Sequence, residues 1–231
     1  MEEAKRRRAI WAWTMYDWAN SAFATTIMAA VLPVYYTSVA AANLPPNIAT
    51  AYWGFTTSLS ALIAALISPI LGAMADFRGS KKRFLTIFMI LGVSGTALLY
   101  FVRTGDWLLG SLFFLLGNIG FAGSLVYYDA LLPHVAGPDE LDQVSSRGYA
   151  MGYLGGGLLL VINLVMYLFA DSLGLSQALV ARLSLASAGI WWLGFSFITF
   201  ATLRPRHAAR PLPPGETYLT IGFKQLAHLI G

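Results

Sequence analysis

Two carboxylates, Asp17 and Asp129, stand inside long apolar runs of this chain, and a guanidinium, Arg147, opens a third such run. An ionisable side chain surrounded by hydrocarbon is costly and generally faces a partner or a water-filled path, so these residues mark where a proton or a charged solute would be handled. Around Asp17, the residues Thr14, Ser21, Thr25 and Met28 recur at intervals of three or four, with Asn20 close by, which at helical spacing makes one polar face. Asn118 and Asp129 are eleven residues apart, three helical turns on one face and about 16 Å along the axis. Tyr127 and Tyr128 flank the lower end of that stripe. Structural alternatives stay open here: Asp129 as a helix cap or as the ion-pair partner of Arg147, and the tyrosines as members of an interfacial aromatic belt.

Such residues need helices to hold them, and the composition supplies a membrane setting. The chain has 231 residues, 57% hydrophobic and 11% charged, with a mean hydropathy of +0.64. A hydrocarbon core of about 30 Å takes about 20 apolar residues per helix. Six runs meet that length, at about 10–39, 50–75, 84–101, 107–131, 146–170 and 178–203. The breaks carry turn chemistry, as in Asn43-Leu44-Pro45-Pro46-Asn47 and Gly137-Pro138-Asp139. With no cysteine, a disulfide framework, a thiolate nucleophile and a cysteine metal site are excluded.

The net charge of +4 is concentrated between the runs rather than spread over a binding face. Lys5 to Arg8 precede the first run, Arg78 and Lys81 to Arg83 separate the second from the third, and Arg204, Arg206 and Arg210 follow the last. This is a topogenic pattern and not that of a nucleic-acid binder. Short cytoplasmic loops are enriched in Lys and Arg, so six spans place both termini in the cytoplasm, and the opposite loops hold only Arg103 and Arg182 at span ends. The first run is too long for a cleaved signal peptide and carries Asp17 and Asn20, which argues for a retained helix. The domains are then a basic cytoplasmic N-terminus over 1–9, a six-helix unit over 10–203 and a cytoplasmic linker over 204–231. That tail, with Tyr218, Leu219, Ile221, Phe223 and Leu226 among polar residues, suits a short interfacial helix or the disordered edge of a longer chain.

The fifth run opens with Arg147 and places Gly148, Gly152 and Gly156 in a small-xxx-small register. Such a face lets helices approach closely, and packing is the expected role; the triple glycine Gly155 to Gly157 also permits bending.

The junction Gly72-Ala73-Met74-Ala75-Asp76-Phe77-Arg78-Gly79-Ser80-Lys81-Lys82-Arg83 resembles the signature loop between helices two and three of the major facilitator superfamily, with Ser80 where a basic residue is usual. Tyr16-Asp17-Trp18-Ala19-Asn20-Ser21-Ala22-Phe23, Tyr128-Asp129-Ala130-Leu131-Leu132-Pro133 and the segment from Ser145 to Gly156 look like the vacuole-effluxer-like branch of that superfamily, related to autophagy-associated amino-acid exporters. The resemblance implies an all-α polytopic fold equivalent to the N-terminal half of a twelve-helix transporter, built from two inverted three-helix repeats, with alternating access and substrate held between the halves. It further implies that helices one and four line the cavity. Asp17, Asn20, Ser21, Asn118, Tyr128 and Asp129 are then candidates for a substrate or proton pathway. Gly72, Asp76, Gly79, Lys81, Lys82, Arg83 and Arg147 become candidates for gating, with Asp76 holding a helix end while Gly72 and Gly79 allow close approach and a tight turn. No Gly-Pro pair occurs in helix five, which leaves the exchange mechanism open.

An enzyme reading rests on Gly92-Val93-Ser94-Gly95, which matches the Gly-x-Ser-Gly of rhomboid proteases, but His134, His207 and His228 all lie outside the spans and supply no base at the depth of Ser94. The expected function is secondary transport of a small polar solute, such as an amino acid, with the bilayer, the solute, coupling protons and a C-terminal six-helix half or a second copy as partners. No metal or organic cofactor is expected. The membrane would be the inner membrane of a bacterium or the vacuolar or another endomembrane of a eukaryote. The alternative is a non-transporting six-helix scaffold or an inactive fragment of a longer transporter.

Overall fold

The computed structural model describes residues 2–77, 81–203, 215–218, 220, 221, 223, 224 and 227. Among them are six helices long and apolar enough to cross a membrane, as backbone in hydrocarbon requires when every N–H and C=O must be satisfied within the chain. The first, α1, is composite. It is α-helical over Glu2–Ala22, π-helical over Phe23–Ala30, α-helical over Val31–Tyr35 and π-helical again over Tyr36–Ala40. Pro33 lies just beyond the first π stretch, where it has no N–H to offer the carbonyl of Ala29. The others are α2 (Pro46–Phe77), α3 (Lys81–Leu98), α4 (Trp107–Asp129), α5 (Leu141–Leu168) and α6 (Gln177–Thr202).

All the helices but α4 start earlier than their apolar runs, α1 and α5 by the most. The basic segment before residue 10 belongs to α1, and α5 starts at Leu141 rather than near 146; Glu, Ala, Lys, Arg and Gln are good helix formers, so a helix outruns its apolar window. At one end of the bundle, here the basic end, lie the start of α1, the α2–α3 and α4–α5 junctions and the end of α6. At the opposite end, Gly105 and Gly174 take positive φ of 91° and 66° in the tight turns into α4 and α6. In the tail, the described residues 218, 220, 221, 223, 224 and 227 are helical, Ile221 is buried and Phe223 exposed.

Packing runs in the order α2, α4, α3, α6, α1, α5, each helix lying mainly against its neighbours in that series. Exchanging the first triplet with the second (α1 for α4, α2 for α5, α3 for α6) returns the same order reversed. The bundle is therefore two interleaved three-helix repeats of opposite direction. Because lipid tails are as apolar as the side chains, close van der Waals fit rather than the hydrophobic effect holds the helices together. Glycine supplies that fit: a Cβ on Gly120 would lie 2.1 Å from the Gly92 nitrogen, and one on Gly95 would lie 2.5 Å from the Gly117 nitrogen. Behind this α3–α4 contact the fully buried Trp192 of α6 meets Phe23 and Phe121 at centroid separations of 5.9 and 6.0 Å. The least buried helices are α2 and α5, with Phe55, Leu62, Tyr149 and Tyr153 among their exposed side chains.

Candidate functional site

Three helices meet at Asp17, near the basic end. The residue is 8% exposed and Tyr128 of α4 only 2%. The Tyr128 hydroxyl donates to Asp17 Oδ2 at 2.8 Å. Trp13, one turn before Asp17 on α1, stacks on the Tyr128 ring at 4.2 Å and 11°, and its Nε1 donates to the Tyr128 carbonyl at 3.1 Å. From α5, Gly148 fits against this pair: a Cβ there would lie 2.5 Å from Asp17 Oδ2 and 3.0 Å from the Tyr128 hydroxyl. Among the described residues no lysine or arginine lies within ion-pair distance of Asp17, and its Oδ1 accepts no hydrogen bond. A carboxylate has room for about four acceptor contacts, so one oxygen is committed to Tyr128 and the other is available to a proton or a cationic group.

At the opposite end the relation is inverted. The hydroxyl of Tyr36, on α1, bonds with that of Ser111, on α4, at 2.8 Å, and Thr56 of α2 bonds with the same Ser111 at 2.8 Å. Tyr36 thus stands to Ser111 as Tyr128 stands to Asp17, each a tyrosine near the end of one leading helix reaching a polar residue in the first half of the other. Asp17 and Tyr36 are 19 residues apart and Ser111 and Tyr128 are 17 apart. The surplus of two residues falls on α1, where the π stretches lie, and the smaller rise of a π turn accommodates extra residues at nearly constant length. Next to this node Asn118 donates from Nδ2 to Ser60 of α2 at 2.6 Å. The signal for it in the sequence was the matched spacing Trp13-x-x-x-Asp17 and Trp107-x-x-x-Ser111, which reading helix by helix passes over.

Other polar residues of α1 face the glycines of α5. A Cβ on Gly152 would lie 2.4 Å from Ser21 Oγ, and one on Gly156 would lie 2.8 Å from the Ser21 carbonyl. Thr25 donates to the Gly156 carbonyl at 3.2 Å. Asn20 is 1% exposed and its amide nitrogen is without a hydrogen-bond partner among the described residues.

Several sequence expectations are corrected. Tyr127 and Tyr128 form no interfacial belt, being 0% and 2% exposed; Tyr127 instead stacks on Phe84 and Phe88 of α3. Asp129 and Arg147 are both exposed and form no ion pair with each other. Arg147 lines a cleft of about 730 Å³ with Arg6, Trp11, Glu140 and Met151, where Arg6 pairs with Glu140. Asn118 is held by α2 while Asp129 is exposed at the basic end, so the two do not meet although they share a helix face.

In the junction between α2 and α3, a Cβ at Gly72 would meet nothing within 4 Å, so no close approach within this chain requires the glycine. Gly79 and the side chain of Asp76 lie outside the described residues. Lys82 Nζ donates to the carbonyls of Phe200 and Leu203, both at 2.6 Å, capping the end of α6. Lys81 Nζ lies 3.1 Å from the Ala130 carbonyl and 3.0 Å from His134 Nε2 at the end of α4. Cations at these C-terminal carbonyls suit the helix dipole. Arg83 is exposed. Ser94 is exposed on α3, 13 residues or about 20 Å along the helix from Lys81, where His134 is bound, so no Ser–His pair forms among the described residues.

Six membrane-spanning helices, inverted repeats and a buried carboxylate between the two leading helices define a polytopic bundle of the facilitator type. The family described as "Vacuole effluxer Atg22 like" matches residues 47–231, and the chain belongs to that family. The match begins at the start of α2, after the helix that carries Asp17. An uncharacterized MFS-type transporter, YxiO, of Bacillus subtilis (strain 168) is 36% identical over 204 residues, covering 87% of this chain and 48% of that protein. Autophagy-related protein 22-2 of Aspergillus oryzae is 26% identical over 76% of this chain and 39% of its own length, and autophagy-related protein 22 of Yarrowia lipolytica 24% identical over 69% and 36%. The chain thus spans less than half the length of these curated relatives. No solved structure matches it.

Proposed function

We propose that this chain is one six-helix half of a secondary active transporter that moves a small polar solute, amino acids being the favoured class, by alternating access. The observation that carries the proposal is Asp17, a carboxylate held between α1, α4 and α5 without a cationic partner and with one oxygen uncommitted among the described residues. A carboxylate kept in an apolar bundle is a site for a coupling proton or for a solute ammonium group. Asp129, exposed at the same end, is a second stop on that path. The relatives' names, an MFS-type transporter and autophagy-related proteins, agree with this reading.

The exposed apolar side chains of α2 and α5 offer a surface for a second six-helix half or a second copy. The basic residues Lys5 to Arg8, Lys81 to Arg83 and Arg147 share one end, which supports a cytoplasmic position for it.

The Tyr128 hydrogen bond favours a second reading, in which Asp17 is only a strut of a non-transporting bundle. The two separate in proteoliposomes containing this chain joined to the second half of the Bacillus relative, assayed with radiolabelled amino acids under an imposed pH gradient. Asp17→Asn keeps the Tyr128 contact and removes the charge. A fall in rate of about tenfold or more, the effect of about 1.4 kcal/mol on the barrier, with unchanged thermal stability is expected. Unchanged flux at every pH would leave Asp17 a strut.

A further inference from the structure

The cleft of about 730 Å³ at the basic end is lined by three arginines and two glutamates, and the pairing among them leaves one charge over. Arg6 pairs with Glu140 and Arg7 with Glu3 at 2.6 Å. Arg147 is exposed and has no ion-pair partner among the described residues. Its guanidinium is a planar fork of N–H donors that matches the two oxygens of a carboxylate. No carboxylate of the described residues meets that fork.

The buried acid without a cationic partner is Asp17, and the helix rotations turn both residues to one gap. Around α1, Asp17 meets Tyr128 of α4, Ser21 lies against Gly152 of α5 and Trp18 stacks on Trp191 of α6. At about 100° per residue, Asp17 lies about 40° to one side of Ser21 and Trp18 about 60° to the other, so α5 sits between α4 and α6. On α5, Leu160, Leu164 and Tyr167 line a groove with Ala181 and Ser184 of α6, which marks that flank as the one towards α6. Arg147 and Met151 lie on the opposite flank of the glycine face, towards α4. Asp17 and Arg147 thus border the same gap between α4 and α5, and Thr14, one turn before Asp17, lines the cleft with Arg147. Asp129, the residue after Tyr128, is exposed at that end and forms no ion pair with Arg147.

The separation suits a small zwitterion. A Cβ on Gly148 would lie 2.5 Å from Asp17 Oδ2. One bond and one Cα step of about 3.8 Å further, the Cα of Arg147 lies within about 8 Å of that oxygen. An α-amino acid with its ammonium on one charge and its carboxylate on the other holds the two about 8–9 Å apart, with a hydrogen bond of about 2.8 Å at each end. The long stem of Arg147 spans that distance from its Cα.

We propose that Arg147 is the residue that selects the solute, its guanidinium taking the carboxylate of an α-amino acid whose ammonium group lies at Asp17. This rests on the reading of Asp17 as a transport site and adds a second charge to it, which excludes amines and amides as good substrates.

The test uses this chain joined to the second half of the Bacillus relative, in proteoliposomes. Each amino acid that it carries is set against its own carboxamide and its decarboxylated amine as competitors. In the unsubstituted protein the carboxamide and the amine are expected to compete about tenfold or more weakly, the effect of one hydrogen bond to a charged group. Arg147→Gln should raise KM for the amino acid by about tenfold and bring the three competitors level, and Arg147→Lys should keep part of the preference. An Arg147 that only supports the fold would change the rate without changing the ranking of competitors, so the ranking decides even where a substituted protein is less active. Equal competition by all three in the unsubstituted protein, or a carboxylate preference kept in Arg147→Gln, would overturn this inference and leave the transporter reading standing. No saturable flux of any amino acid would overturn both.

Discussion

The Tyr128 hydroxyl donates to the Asp17 carboxylate at 2.8 Å, and this bond joins the two helices that lead the inverted repeats. It ties the charge-bearing residue of α1 to the ring that stacks on Trp13. Its counterpart at the opposite end joins the hydroxyls of Tyr36 and Ser111, so each leading helix is tied to the other at both ends.

Tyr128→Phe removes the donor and keeps the stack. Because Asp17 is buried, loss of its hydrogen bond should cost about 1–3 kcal/mol. A fall in melting temperature in detergent checks this, and a cycle with Asp17→Asn should show the two substitutions to be non-additive, as expected of contacting residues.

Glycine substitutions should divide by place rather than by type. Gly120→Ala sets a Cβ 2.1 Å from the Gly92 nitrogen and should destabilise by about 1–3 kcal/mol or more, since backbone cannot step aside as a side chain can. Gly54→Ala meets nothing within 4 Å and should be neutral or stabilising by up to about 1 kcal/mol, the helix-propensity difference. Thermal unfolding of the two variants side by side distinguishes them.

Gly148→Ala tests the junction of α5 with Asp17, where the added methyl would lie 2.5 Å from Oδ2. It should lower the melting temperature and also weaken the Tyr128–Asp17 coupling measured in the cycle above. A drop in stability with that coupling intact would mean that α5 packs there without bearing on the carboxylate.

The chain has no cysteine, so single cysteines can report sidedness directly. With the basic end in the cytoplasm, Asn43→Cys and Ser172→Cys should react with an impermeant maleimide on intact cells, and Asp139→Cys only after permeabilisation. The reverse pattern would invert the topology.

The number and order of the helices were legible in the sequence because about 20 apolar residues between turn-forming breaks have few other uses. So was the placing of Asp17 inside the bundle, where it is buried, since an acid in such a run stands out. Its partner was not. Tyr127 and Tyr128 are adjacent and alike in sequence, and only the helix rotation, which turns Tyr127 to Phe84 and Tyr128 to Asp17, tells them apart. Asp129 and Arg147 could be paired on charge alone, and the bundle keeps them apart because their neighbours are set by packing. The lysines after the α2–α3 junction read as topogenic charge, and their hydrogen bonds to carbonyls at the ends of α4 and α6 depend on helices more than 40 residues away in sequence.

The central claim, that this chain is half of a solute transporter, is tested most directly by reconstituting it alone and joined to the second half of the Bacillus relative, then measuring amino-acid flux in proteoliposomes. Saturable flux, in the joined form or in a dimer of the chain, is the predicted result. Folded protein in both forms with flux no greater than that of empty liposomes, across the amino-acid panel and at every imposed pH gradient, would contradict it.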